Sequence, residues 1–172
     1  SMFENTGAAT TIVDENTIIS LANNEFERLS GYTKREIEMK KSWTEFVVKE
    51  DLETMLARHY RRREGGDVPR QYEFRFLRRN GDVREVLITI DLIPGTTQSV
   101  ASMIDITDRK LAEEQLLQRE QQYRFIADNS LDVITRLSID FLCLYVSPAI
   151  TPLLGYSEIE LLGKYLLSLI HP

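Results

Sequence analysis

Gln71-Tyr72-Glu73-Phe74-Arg75-Phe76-Leu77 runs into Arg78-Arg79-Asn80-Gly81-Asp82 and then Val83-Arg84-Glu85-Val86-Leu87-Ile88-Thr89-Ile90. In the first run Tyr72, Phe74 and Phe76 alternate with Glu73, Arg75 and Leu77; in the second, Val86, Ile88 and Ile90 share one face. A period of two puts alternate side chains on opposite faces of a strand. Asn80-Gly81 between the runs supplies a hairpin turn, because both residues tolerate the positive φ such turns demand. The second strand extends over 83–93 until Pro94-Gly95 breaks it, and 99–106 reads as a third, with Ala101 and Met103 on one side. Three adjacent antiparallel strands are expected, with an apolar face that something must cover.

Upstream, 9–13 and 17–22 are β-rich runs around Asp14-Glu15-Asn16 and read as a hairpin. A short helix over 25–29 stops at Gly31, and Thr33 with Glu36 three residues on is a capping box opening another. Leu52, Met55, Leu56 and His59 lie at helical spacing over 51–63, ahead of Gly65-Gly66. Two strands, several short helices and three long strands make an α+β domain: a five-stranded antiparallel sheet with short helices on one face.

The chain also repeats itself. Leu29-Ser30-Gly31-Tyr32-Thr33-Lys34-Arg35-Glu36-Ile37 returns as Leu153-Leu154-Gly155-Tyr156-Ser157-Glu158-Ile159-Glu160-Leu161, an offset of 124 residues that also aligns Phe26 with Ile150 and Asn23 with Ser147. Between the copies, 108–129 is rich in Glu, Gln, Arg and Leu and free of Gly and Pro, so it reads as a connecting helix. Leu116, Arg119, Tyr123 and Ile126 fit a seven-residue pattern, with Leu111 and Leu117 offering a second stripe. Parallel pairing of two such helices and packing of one helix on its own domain both remain open. The expected division is 3–107, 108–129 and 130–172.

With 42% apolar and 28% charged residues, the 172-residue chain has the make-up of an ordinary globular protein. No apolar run is long enough to span a bilayer, so no membrane contact is expected. The lone cysteine, Cys143, cannot close an intramolecular disulfide, which suits a reducing compartment; a cytoplasmic location follows as the expectation. A net charge of −6 argues against nucleic acid as partner. Arg58, Arg61, Arg62, Arg63 and Arg70 read as a solvated helix face and its exit rather than a partner contact. Ser1-Met2 and His171-Pro172 read as cut points in a longer protein.

This organisation resembles the PAS family. Asn23-Asn24-Glu25-Phe26 with Leu29-Ser30-Gly31-Tyr32-Thr33 resembles its Asn-x-x-Phe and Gly-Tyr-Ser signatures. Glu73-Phe74-Arg75 with Arg79-Asn80-Gly81 resembles its Glu-x-Arg strand and hairpin, and Asp105-Ile106-Thr107-Asp108-Arg109-Lys110 its closing Asp-Ile-Thr-Glu-Arg-Lys element. Their order over 3–110 is specific. From Tyr123 the chain resembles the start of a second PAS unit, through Val146-Ser147-Pro148-Ala149 to His171-Pro172, without the three strands that complete the sheet. Residues 130–172 are therefore expected to be poorly ordered, to pack on the first unit, or to complete themselves against another chain.

The resemblance implies a sensory module whose ligand, if any, lies between sheet and helices. The period-two reading places Tyr72, Phe74, Phe76, Val86, Ile88, Ile90, Ala101 and Met103 on that side, with Trp43 and Phe46 as covers. A filled apolar core without ligand and a small pocket for an unidentified metabolite are the two readings. Flavin photosensing of the LOV kind needs a cysteine where this chain has Ser42, and amides where it has Phe76, Val86 and Met103, which argues against flavin. Haem ligation in the family would fall near Thr54 rather than His59, so no haem is expected, and His59 and His171 read as structural, the former at the surface.

No catalytic constellation and no metal-ligand spacing is present, and Gly65-Gly66-Asp67 continues as Val68-Pro69 rather than as a cyclic-dinucleotide enzyme motif. The chain is expected to be non-catalytic. Asn23, Glu73, Arg75, Asp105 and Thr107 are the expected signal-transmission residues: Asp105 pairing with a base such as Arg75, and Thr107 or Asp108 capping the helix. A sensory and dimerisation module follows, homodimeric through its N-terminal residues and 108–129, which passes a signal to an output domain. A histidine kinase is the first expectation for that output and a cyclic-dinucleotide enzyme another. The alternative is a ligand-free scaffold that only dimerises or binds protein.

Overall fold

The computed structural model describes residues 2–5 and 7–165. The chain comprises two units, Ser1–Leu111 and Ala112–Pro172. In the first, strands β1 (Ala9–Val13) and β2 (Ile19–Ala22) precede helices α1 (Asn24–Ser30), α2 (Lys34–Ile37) and α3 (Lys49–Arg63). A 3₁₀ turn over Trp43–Phe46 lies between α2 and α3. Strands β3 (Gln71–Leu77), β4 (Val83–Leu92) and β5 (Ser99–Asp105) then lead into helix α4 (Thr107–Asp128).

The five strands form one antiparallel sheet in the order β2-β1-β5-β4-β3. Phe74 faces Val86, and Ile88 faces both Tyr72 and Met103, so the expected apolar stripes share one face. Phe74, Phe76, Val86, Ile88, Ala101 and Met103 form one core with Phe26, Ile37, Phe46 and Met55 from the helical side. Removing a large side chain of this kind from water contributes about 1.5–3 kcal/mol. Fold class and sheet are thus as the alternation dictates. Edge strand β3 is guarded at Arg75, whose N–H donates to Asp51 Oδ2 at 2.9 Å and whose C=O accepts from Val48 N at 3.2 Å.

Some boundaries differ from the sequence reading. Thr17 belongs to the turn, with φ of 75° and its N–H on Asp14 O, so β2 begins at Ile19. Helix α3 starts two residues early, at Lys49, because Val48 already has the extended geometry of an N-cap.

In the second unit, strands β6 (Thr135–Leu137) and β7 (Cys143–Val146) pair antiparallel, followed by α5 (Ile150–Leu154) and α6 (Glu158–Leu161). Cys143, Val146, Ile150 and Leu161 form its small core. The repeat seen in sequence is a repeat of geometry. Thr10 N–H donates to Asn23 Oδ1 at 2.8 Å, and 124 residues on Ile134 N–H donates to Ser147 Oγ at 2.9 Å. Thr17, Gly31 and Met39 have positive φ, as do Phe141, Gly155 and Gly163 at the same offset. Both capping boxes form, Thr33 with Glu36 and Ser157 with Glu160. Among the described residues this unit has two strands, and Leu131, Ile139, Ile159 and Leu153 stay exposed. His171 lies outside the described residues.

Candidate functional site: a sheet-backed cavity and its helical exit

Between the sheet of the first unit and its helices lies a cavity of about 50 Å³. Of the residues expected there, Trp43, Phe46, Tyr72, Phe74 and Phe76 line it, as do Ile88, Ile90, Ala101 and Met103. Val86 does not: it is wholly buried in side-chain packing and offers no wall to the space. The aromatic rings explain the small volume. Phe26 sits edge-on to Phe46 and Phe76 at 5.3 and 5.9 Å, and Phe46 stacks on Phe76 at 5.6 Å.

The polar end of this space was not legible from spacing. His59, expected at the surface, is buried and lines the cavity, because α3 turns that face inward. Its Nε2 lies 2.9 Å from Glu15 O, which only a ring N–H can satisfy, leaving Nδ1 to accept from Arg63 Nη1 at 3.0 Å. The ring is therefore neutral, and burial, aided by the charges of Arg63 and Arg62, pushes its pKa down. Arg62 and Arg63 also depart from the solvated-face reading. Arg62 is buried, lines the cavity and donates to Pro69 O at 2.7 Å, while Arg63 reaches Ser99 Oγ at 3.2 Å and Thr97 O at 3.0 Å. Arg58 covers the Tyr72 ring at 4.3 Å. Burial raises the Tyr72 pKa, and the Arg62 and Arg58 charges oppose that rise. Arg61 remains exposed, and Arg70 is exposed beside Asp91.

On the opposite face of the same strands the exit into α4 is built from the expected transmission residues in different pairings. Arg75 binds Asp51 (Nη2–Oδ1 2.7 Å), not Asp105, because Asp51 on the first turn of α3 reaches the edge of β3. That bidentate contact holds the Asp51 carboxyl below its ordinary range. Asp105 instead accepts from Thr107 N–H at 3.0 Å and Thr107 Oγ1 at 2.6 Å, so Asp105, not Thr107, covers the helix start. The Thr107 hydroxyl oxygen in turn accepts from Glu85 N–H on β4 at 2.9 Å. Lys110, one turn on, binds Glu73 Oε2 of β3 at 2.5 Å and Glu85 Oε2 of β4 at 3.1 Å. Asn23, fully buried, joins β1 to α1: its Oδ1 accepts from Thr10 and Phe26 N–H, and its Nδ2 donates to Ala8 O and Phe3 O.

The cavity residues do not fit a flavin or a haem. About 50 Å³ is well below the roughly 300–1,000 Å³ of pockets for molecules of drug size. The first unit holds no cysteine, and Ser42 caps the 3₁₀ turn and bonds Thr17 rather than facing the cavity. Both nitrogens of His59 are engaged, and Thr54 is exposed. Among the described residues no group of His, Cys, Asp and Glu is placed to hold a metal, and no helix is long and apolar enough to cross a membrane.

Residues 19–107 match the family described as PAS fold, and the chain belongs to it. It therefore carries a sensory domain of the kind found in signalling proteins. Solved structures of the same fold include a domain of a sensory box sensor histidine kinase/response regulator from Geobacter sulfurreducens, 24% identical, covering 60% of this chain and 88% of that one at a TM-score of 0.51. The Rhodobacter sphaeroides LOV protein is 21% identical, with 61% and 62% covered and a TM-score of 0.52. The PAS domain of a Cronobacter turicensis quorum-sensing receptor, in complex with C12:0, is 19% identical, with 60% and 97% covered and a TM-score of 0.51.

Proposed function

We propose that the first unit senses a small molecule in its cavity and transmits occupancy through α4 to an output domain, a histidine kinase by preference, in a homodimer. One observation carries this reading: strands that wall the cavity on one face are hydrogen-bonded on the other to the first turn of α4, through Thr107–Glu85 and Lys110–Glu73. A shift of β3 against β4 would pull on those bonds. The complex of another PAS domain with C12:0 supports a small molecule as input. Helix α4 supports the dimer, since Leu116, Tyr123 and Ile126 are 58–71% exposed at heptad spacing. The second unit reads as the first half of another PAS unit, on the strength of the repeated bonds and backbone geometry, and the protein works without catalysis of its own in the cytoplasm.

Asp105→Ala tests the transmission. It removes the acceptor of Thr107 N–H and one partner of the hydroxyl, costing about 0.5–2 kcal/mol at the helix start. The expected result is a folded first unit with output uncoupled from input in the parent protein; normal signalling by this variant would sink the reading. A ligand-free dimerisation scaffold is the second reading, favoured by the aromatic filling of the core. Native beside denaturing mass spectrometry separates them through a co-purifying small molecule.

A further inference from the structure

The cavity has an apolar body and a cationic end that lacks a counter-ion. Among the described residues no carboxylate lies within ion-pair range of Arg58, Arg62 or Arg63, and Arg62, only 9% exposed, donates to neutral oxygens, the Pro69 carbonyl at 2.7 Å and the Tyr72 hydroxyl. A buried guanidinium without an anion is costly, since neither water nor a carboxylate offsets its desolvation. His59 does not supply the charge, being neutral. A second donor stands on the same wall: the Trp43 indole N–H is buried without a hydrogen-bond partner. His59 and Arg62 are three residues apart on α3 and so share a helix face, and the Trp43 ring lies 5.6 Å from His59. The unpartnered donor and the unpaired cation therefore flank one imidazole. Thr11, Tyr72 and Ser99 add hydroxyls to the wall, while Met55, Ile88, Ala101 and Met103 form an apolar stretch with no hydrogen-bonding group.

We infer that the ligand is a short-chain aliphatic monocarboxylate, its head on Arg62 within reach of the Trp43 N–H and its tail toward the methionines. This rests on the small-molecule reading of the same cavity and names its ligand class. A monoanion fits because one buried cation needs one counter-charge. A short tail fits because about 50 Å³ holds only a few water-sized groups, at roughly 10–15 Å³ each.

Trp43 is the sole tryptophan of the chain, so its fluorescence and its single indole N–H resonance report on the cavity directly. The protein is titrated at pH 7.5 with sodium butyrate, hexanoate and octanoate, and in parallel with the matching primary amides, which keep shape and lose charge. The expected result is saturable binding of at least one carboxylate, tenfold or more tighter than its amide, with a downfield shift of the indole N–H. Arg62→Met should abolish that preference, weakening the carboxylate far more than its amide. Equal affinity for carboxylate and amide would overturn the anionic head and leave small-molecule sensing standing. No response to either series would overturn the carboxylate assignment, and native mass spectrometry without a co-purifying small molecule would overturn the sensing reading as well. Should Arg62→Met fail to fold, the wild-type comparison of carboxylate with amide decides.

Discussion

Replacing Asn23 with alanine should cost the first unit about 3–4 kcal/mol. Asn23 is fully buried, and its side-chain oxygen accepts from Thr10 N–H at 2.8 Å and Phe26 N–H at 3.0 Å. Truncation deprives two donors of that acceptor, at about 1–3 kcal/mol each where buried, and one of the two is the cap of α1. The donations to Ala8 O at 2.9 Å and Phe3 O at 3.2 Å are lost as well. Against a total stability of roughly 5–15 kcal/mol the loss is large, and at about 4 °C per kcal/mol it lowers Tm by about 12–16 °C. The second unit suggests a graded control, because Ser147 holds the equivalent place and accepts from Ile134 N–H. Asn23→Ser should therefore recover part of the loss. Urea unfolding followed by Trp43 fluorescence reads the first unit alone, the only tryptophan being there. An alanine variant within about 1 kcal/mol of wild type, or a serine variant no better than alanine, would refute the bond accounting.

Three further outcomes follow from other parts of the structure. The folded-state pKa of His59 lies below its ordinary 6.5 through burial and the nearby Arg63 and Arg62, so the unfolded chain takes up its proton first. Its contribution to stability is complete above about pH 6.5 and falls as pH drops from there through the folded pKa; His59→Gln should flatten urea-derived stability across that window, and an unchanged slope would count against the neutral buried ring. Met39 has φ of 58° and is 67% exposed where the repeat has Gly163, so Met39→Gly relieves a left-handed strain and should raise stability by about 0.5–1 kcal/mol, read as a higher urea midpoint. Replacing Leu116, Tyr123 and Ile126 together with serine should convert a dimer to a monomer in sedimentation velocity; a wild-type monomer at about 100 µM, well above the micromolar range of a modest interface, would remove the paired-helix reading.

The sequence alone determined the sheet and its inward face. A pleated strand sends alternate side chains to opposite sides, and 71–106 alternates too regularly to be read otherwise. The capping boxes and the Gly31 turn were legible for a similar reason: they are local, set by backbone atoms three or four residues apart. Pairings across the fold were not. Arg75 has several carboxylates to choose among, and only the seating of α3 on the edge of β3 brings it to Asp51 rather than Asp105. The inward rotation of α3 likewise buries His59 and Arg62, which composition assigns to solvent, and so makes one end of an apolar space cationic. Local geometry is written in neighbouring residues, whereas the partner of a long charged side chain depends on where distant elements come to rest, and that is decided by packing of the whole unit.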